Sequence, residues 1–313
     1  MIGVIGIGAA LPGVSTADGL AADGSTADGS ATEDTGPGAP VEPAARIGRK
    51  GLRYKDRATQ LGLVAAHDAL VDAGLWADGA LTVPGEDVAV LASSNLGNLD
   101  TVCAVSATIE DEGVVGTSPM DLPNASSNVV ASSIAIRFGL RGPNLMVCNG
   151  ATSGLDAVHW AATVLRAGRA EYALVVGVEV ANTVTERYTG TAGLLDGAAG
   201  VVLRAGRHGV PLGRYARRGS LAESVAGVLE EEAGTWFVPE GFRGEAPLAG
   251  LAKAARRDLA EPFGRCGGAL GVMQCAAAAG LLRAGADTPV LVSNDGHEAA
   301  ASMLLLPAGG AAR

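Results

Sequence analysis

Residues 120–156 constrain the fold most, because they combine a helix, a turn, a strand and a sharp turn into a second helix. Small and apolar residues recur at helical spacing over 126–138, and a Gly-rich turn ends that helix. The apolar run 145–148 predicts a short buried strand. The small residues 149–154 then predict a tight elbow, with the backbone amides of the next helix aimed at its apex.

An elbow of this kind is how an α/β fold presents a nucleophile. Ala151 occupies the predicted apex here, and a methyl group has no nucleophilic atom. The pattern therefore predicts the architecture of a catalytic elbow without its reacting side chain.

Composition and charge narrow the class of protein. The 313 residues suffice for one large domain or two fused halves, and 48% apolar residues with 46 Gly suit tightly packed α/β layers. A net charge of −10 argues against a nucleic-acid partner. No apolar run is long enough to span a bilayer, and the start of the chain has no basic region typical of a signal peptide. We therefore expect a cytoplasmic protein with no membrane partner.

Along the chain, strands alternate with helices, which predicts an α/β fold. A helix is expected from Arg57, capped by Asp56 and ended by Gly74. Residues 15–43 carry almost no large apolar side chains and predict a mobile low-complexity loop. The other expected elements are strands at 88–95, 172–180, 289–296 and 299–307, and helices near 220–233 and at 266–283.

The segment RFGLRGPNLMVCNGATSGLDA resembles the active-site segment of the β-ketoacyl synthases, in the thiolase superfamily. Weaker similarities at 49–75, 166–179 and 264–285 follow in the family's order. The resemblance implies a thiolase-like duplicated α-β-α-β-α layered fold. Residues 1–185 would form its N-terminal half and residues 186–313 a shortened C-terminal half.

The same resemblance implies a lost activity. The family's condensation chemistry uses the elbow Cys and two His, and Ala151 stands at the Cys position. Arg265 stands at one His position, and the segment GTWFVPEG (234–241), nearest to the motif of the other, has no His. Arginine stays protonated near neutral pH and cannot exchange protons there. We therefore predict no catalytic residue, no cofactor and no metal site.

Other reactive side chains have ordinary structural interpretations. The cysteines are expected to be buried thiols, since they lie in apolar segments without metal-ligand spacing. The three histidines considered have no partner nucleophile in sequence, and Ser153 has no evident base. The Arg-rich region 204–218 could contact an acidic carrier protein, although a solvated face is the simpler interpretation. The cysteines in question are Cys103, Cys148, Cys266 and Cys275, and the histidines are His67, His159 and His297.

Chain-length factors of type II polyketide synthases are ketosynthase-like subunits without the nucleophile, and this chain resembles them. The resemblance implies a heterodimer with a Cys-bearing ketosynthase subunit, an acyl carrier protein as a further partner, and a role in polyketide and antibiotic biosynthesis. Ala151, where aromatic systems carry Gln, and the trimmed region between Glu186 and Gly193 resemble the highly reducing, polyene-forming systems.

In that family the segment after the first inner strand caps the partner's acyl tunnel. The residues that match its wall are Leu96, Leu99, Val102, Ser106, Met120 and Asp121, and those expected at the dimer interface are Leu145, Val147 and Asn149. Their small or aliphatic side chains would leave room for a long acyl chain. Ordinary helix packing remains the alternative interpretation for each of them.

Two other functions stay open at this point. One is a malonyl-carrier decarboxylase or acyltransferase that uses the ketosynthase pocket without Cys. The other is a homodimeric acyl-binding scaffold.

Overall fold

The computed structural model describes residues 1–14, 17–20, 38–119 and 121–308. Part of the loop predicted at 15–43 lies outside them. Residues 17–20 form a 3₁₀ turn, and Pro43 begins the first α-helix. The remainder of that prediction, at 15–16 and 21–37, concerns residues that are not described.

The described chain alternates strands and helices. The strands are β1 (Ile2–Ala10), β2 (Trp76–Ala77), β3 (Ala80–Leu81), β4 (Val88–Ser93), β5 (Asn144–Val147), β6 (Tyr172–Glu179), β7 (Gly197–Ala205), β8 (Val210–Arg218), β9 (Thr235–Phe237), β10 (Ala255–Arg257), β11 (Val290–Asp295) and β12 (Ala300–Leu305). The helices are α1 (Pro43–Ile47), α2 (Arg57–Asp72), α3 (Leu99–Glu112), α4 (Val129–Phe138), α5 (Ser153–Arg166), α6 (Thr183–Thr189), α7 (Leu221–Ala226), α8 (Ala260–Phe263) and α9 (Leu270–Arg283). The α/β class is confirmed.

Ten strands of the described residues form one mixed sheet, in the order β10-β9-β11-β12-β8-β1-β7-β6-β4-β5. The two halves of the sheet meet where β1 pairs with β8. Counted outward from that pair, the strands of each half pair antiparallel twice and then parallel twice. The duplication expected from the sequence is therefore present. Strands β1, β7, β6, β4 and β5 form one half of the sheet, and β8, β12, β11, β9 and β10 form the other.

Helices and the two half-sheets stack in layers. Helices α2 and α4 cover one face of the first half, α7 covers the outer face of the second, and α5 and α9 contact strands of both. Three clusters of buried apolar side chains fill the spaces between these layers. The central α5–α9 layer places the elbow, which precedes α5, between the two halves of the sheet.

Local signals set several element boundaries. Asp56 caps α2 by accepting a hydrogen bond from the backbone N–H of Thr59 at 2.8 Å, as its sequence position predicts. The helix expected near 220–233 ends at Ala226, and the one expected from 266 begins at Leu270 after a 3₁₀ turn. No helix of the described residues is both long and apolar enough to cross a membrane.

Strand β5 corrects two predictions about burial. It lies at the outer edge of the sheet, pairs only with β4, and leaves Asn144 and Leu145 exposed, so the strand is not buried. Cys148, which follows it, is also exposed, as is Cys103 on α3, whereas Cys266 and Cys275 are buried as predicted. A four-residue apolar run does not reveal whether a strand is central or at an edge, because an edge strand at an interface is equally apolar.

Candidate functional site

The elbow has the predicted strand–turn–helix geometry. Gly150 has φ +67°, a conformation that favours glycine, and opens a 3₁₀ turn that leads into α5 at Ser153. The Ser153 hydroxyl is fully buried, accepts a hydrogen bond from the Asn149 N–H at 2.6 Å, and lies 2.9 Å from Asn95 Oδ1. Ser153 therefore closes the elbow and ties it to the end of β4, with no base beside it among these hydrogen-bond partners.

Ala151 lies at the apex, against the loop that follows β11. A Cβ added at Gly296 would lie 2.9 Å from the Cβ of Ala151, which is closer than real side chains approach. The neighbouring His297 is exposed in the same loop, as predicted for a surface turn. The apex thus offers a methyl group packed beneath a glycine.

Asp156, in the first turn of α5, is a buried carboxylate that joins the two halves of the fold. It accepts hydrogen bonds from Asn149 Nδ2 at 2.6 Å and Thr152 Oγ1 at 2.8 Å. Strand β8 contributes a hydrogen bond from the Tyr215 hydroxyl and an ion pair with Arg217, whose Nε lies 3.6 Å from Asp156 Oδ2. Burial and the Asp156 carboxylate raise the pKa of Tyr215, which keeps its proton. Sequence reasoning missed this site, because Asp156 and its two partners on β8 are about sixty positions apart in the chain.

An ion pair lies where the resemblance expects two catalytic histidines. Arg265 Nε donates to Glu240 Oε1 at 2.7 Å, and Glu240 belongs to the segment 234–241. The other oxygen of Glu240 accepts the N–H groups of Cys266 at 2.7 Å and Gly267 at 3.0 Å. A guanidinium paired with a carboxylate holds these two segments together, and the guanidinium itself cannot exchange protons near neutral pH.

Glu179, at the end of β6, is a second buried carboxylate that sequence reasoning missed. It is 2% exposed, and its hydrogen-bond donors come from two loops. Burial raises its pKa, while the hydrogen bonds to the backbone of Asn95, Leu96 and Gly268 oppose that shift. A single Glu ending an otherwise apolar strand was the only sequence signal for this residue.

Three of the four cysteines show no sign of activation. Burial raises the pKa of Cys148 and of Cys266, and it raises the pKa of Cys275 to about 12. A reactive cysteine needs a lowered pKa, so these three thiols are poor nucleophiles. His159 stacks on Tyr215 with ring centroids 4.2 Å apart, and burial lowers its pKa. Among the described residues, no group of three potential metal ligands comes together.

Three of the six residues predicted for the tunnel wall lie on α3. Leu99, Val102 and Ser106 are three and four residues apart and so share one face of the helix. Leu96 precedes the helix and is half-buried; Asp121 is exposed, and Met120 lies outside the described residues. No side chain of α3 is fully buried, although the helix carries several apolar residues.

Exposed apolar side chains concentrate on the elements around α3 and β5. Elements α6, α3, the 3₁₀ turn Leu122–Ala125, α4, β5 and α5 contact one another in series. The large apolar side chains that they and the turn after α3 expose are Ile109, Val114, Val115, Leu122, Ile136, Leu145, Trp160 and Tyr188. Of the other predicted interface residues, Val147 is half-buried and Asn149 is exposed. Exposed apolar side chains gathered on neighbouring elements are typical of a protein–protein interface.

The duplicated layers and the elbow between them define a ketosynthase-like protein of the thiolase-type α/β class. The β-ketoacyl synthase N-terminal domain family matches residues 17–195. The chain belongs to the β-ketoacyl synthase family.

Individual relatives agree with this family. The 3-oxoacyl-(acyl-carrier-protein) synthase 2 of Vibrio harveyi is 32% identical over 140 residues, which are 44% of this chain and 32% of the relative. The enzyme of the same name from Rhizobium meliloti is 32% identical over 135 residues, which are 42% of this chain and 30% of the relative. The chain thus spans about a third of the length of the curated relatives it matches.

Solved structures share the fold over nearly the whole chain. The ishigamide ketosynthase/chain length factor has a TM-score of 0.73 at 22% identity, covering 98% of this chain and 99% of that one. A type II polyketide synthase acyl-carrier protein in complex with its ketosynthase, AntDE:AntF, gives a TM-score of 0.77 at 14% identity and the same coverage. At these identities the similarity shows the fold.

Proposed function

We propose that this chain is a non-catalytic chain-length factor, which pairs with a Cys-bearing ketosynthase and shapes the polyketide acyl tunnel at their interface. The observation that carries the proposal is Ala151 at the apex of an otherwise complete elbow. The Arg265–Glu240 pair supports it, because the Arg265 guanidinium stays protonated and cannot exchange protons as a catalytic histidine does. The solved ketosynthase/chain length factor of the same fold supports such a pairing by analogy.

The exposed face around α3 and β5 supports a protein partner there. An edge strand beside apolar helices is a surface that soluble proteins normally cover. An obligate interface is expected to bury roughly 2,000 Å² or more. The test is co-expression with a candidate ketosynthase followed by size-exclusion chromatography. One complex of both chains is expected, and a monodisperse monomer that ignores the partner would refute the pairing.

A carrier protein is proposed as a further partner, by analogy with the carrier bound to its ketosynthase in a related structure. The Arg-rich region 204–218 gives little support as its contact, because three of its arginines already pair with carboxylates. These pairs are Arg204–Glu171, Arg214–Glu230 and Arg217–Asp156. Carrier co-elution with the assembled pair, but not with this chain alone, is the expected result.

The isolated chain is predicted to have no condensing activity. Incubation with an acyl thioester or with cerulenin should leave every elbow residue unmodified, as measured by intact-protein mass spectrometry. Ala151→Cys alone should not create a synthase, because Arg265 and Glu240 still occupy the proton-transfer region. Stoichiometric labelling of any elbow residue in the chain without substitutions would contradict this prediction.

Two other functions predict different results. A malonyl-carrier decarboxylase would release CO₂ from malonyl-carrier protein as the isolated chain. A homodimeric scaffold would be a stable homodimer and would bind no ketosynthase. We favour the chain-length factor, because the Arg265 guanidinium that a decarboxylase could direct at a malonyl carboxylate is already bound by Glu240. The polyene-forming subclass remains a finer proposal, which rests on Ala151 and the trimmed loops.

A further inference from the structure

Two carboxylates hold one short loop between α8 and α9. The backbone N–H groups of Cys266 and Gly267 donate to Glu240, at 2.7 and 3.0 Å. The next N–H along the chain, that of Gly268, donates to Glu179 at 3.0 Å. Three consecutive amides are thus bound by charged acceptors, which are stronger than neutral ones.

Glu179 also holds the turn that leads into α3. It accepts the N–H groups of Asn95 at 2.6 Å and Leu96 at 3.1 Å, and the hydroxyl of Ser94 at 3.1 Å. That hydroxyl oxygen in turn accepts the N–H of Gly97 at 2.8 Å. The turn before the proposed tunnel wall therefore depends on one buried carboxylate.

The loop and the turn approach each other too closely for any side chain between them. A Cβ added at Gly268 would lie 2.9 Å from Glu179 Oε1 and 3.0 Å from the backbone nitrogen of Asn95. Ser93 Oγ donates to the Gly268 carbonyl at 2.9 Å and closes the contact from the strand side. A displacement of the loop must therefore move the turn.

We propose that Glu179 and Glu240 form a two-carboxylate brace, which acts through residues 265–268 to position the turn 94–97 and thereby the tunnel face of α3. Glu179 and Glu240 are positioning residues in this account: they touch no acyl chain, and they fix where Leu96, Leu99 and Val102 lie. The assignment of that face to a tunnel rests on the proposed function, but the coupling of the loop to the turn does not.

Glu179→Gln tests the brace with little change of shape. The single amide oxygen can keep the Asn95 and Gly268 bonds, which share Oε1, while the new NH₂ group faces the N–H of Leu96. Loss of a charge-assisted hydrogen bond should speed amide exchange at residues 94–97 roughly ten- to a hundredfold. With the ketosynthase and carrier, the product-length distribution should broaden while the complex stays intact.

Glu171→Gln is the matched control, because Glu171 is an exposed carboxylate whose ion pair with Arg204 lies at the surface. It should alter neither the exchange at residues 94–97 nor the product lengths. A brace that merely stabilised the fold would lower total product in the Glu179→Gln complex without changing the ratio of lengths. That unchanged ratio would overturn the proposal if Val102→Phe, in the same assay, does shorten the products.

Glu240→Ala tests the second carboxylate of the brace. It also tests the coupling of the loop to the turn if the Glu179→Gln variant does not fold. Exchange should rise at residues 266–267 and also at 94–97, although the hydrogen bonds of Glu240 within the described part of the chain go to Arg265, Cys266 and Gly267 and not to that turn. Faster exchange confined to 266–267 would overturn the coupling. If Val102→Phe leaves product length unchanged while both carboxylate variants speed exchange at 94–97, the brace holds and the proposed tunnel function fails.

Discussion

We expect Val102→Phe to shorten the polyketide made by the reconstituted pair, because it adds an aromatic ring to the face of α3 that we propose lines the acyl tunnel. Val102 is only half-buried in this chain, so a larger side chain at this position has room to extend beyond the chain's own surface. One helical turn is about 5.4 Å long and spans roughly two chain extensions of about 2.5 Å each, so a plug of this size should remove at least one extension. Ser106→Phe, one turn further along the same face, should shorten the products as well.

The product-length distribution is measured by mass spectrometry after reaction with carrier protein and malonyl donors. Ala104→Phe is the matched control, since it adds a phenyl ring at an exposed position on the other side of α3 and should leave the lengths unchanged. Unchanged lengths in both tunnel variants, with the complex intact, would show that this face does not line the tunnel. Loss of all products together with the complex would instead identify these residues as interface packing.

Asp156→Ala should destabilise the chain by about 3–5 kcal/mol, because it removes the buried acceptor that joins α5 to β8. The donors from Asn149, Thr152 and Tyr215 would each lose a partner inside the protein, and Arg217 would lose its ion pair. The measurement is the free energy of unfolding from urea denaturation, compared with the unmodified chain.

Glu171→Ala provides the control for this second prediction. Glu171 pairs with Arg204 at 2.8 Å, but both side chains are substantially exposed, so its loss should cost less than about 1 kcal/mol. Equal destabilisation by the two variants would show that Asp156 does not have the joining role given to it here.

The sequence predicted those parts of the fold that depend on neighbouring residues. Helix α2, its Asp56 cap and the elbow at Gly150 all follow from local spacing and turn chemistry, and the structure confirms them. The α/β class followed from the alternation of elements. The edge position of β5 did not, because an apolar strand at an interface has the same local pattern as a buried one.

The polar contacts that hold the site together could not be predicted, because they join distant residues. Asp156 and Tyr215 are 59 positions apart, and Glu179 and Gly268 are 89 apart. Arg265 was identified as a departure from the family, but its pairing with Glu240 requires two loops to meet in space. The placement of Ala151 at the apex, in contrast, needed only the spacing of the elbow.

Condensing activity of the chain alone, of a candidate ketosynthase alone and of the two together tests the central claim most directly. The carrier protein and malonyl donor are supplied in each case, and elongated product is quantified by mass spectrometry. We expect elongated product from the pair, none from this chain alone, and complete loss when the partner's elbow Cys is replaced by Ala. Elongated product from this chain alone, or from the pair after that replacement, would contradict the account.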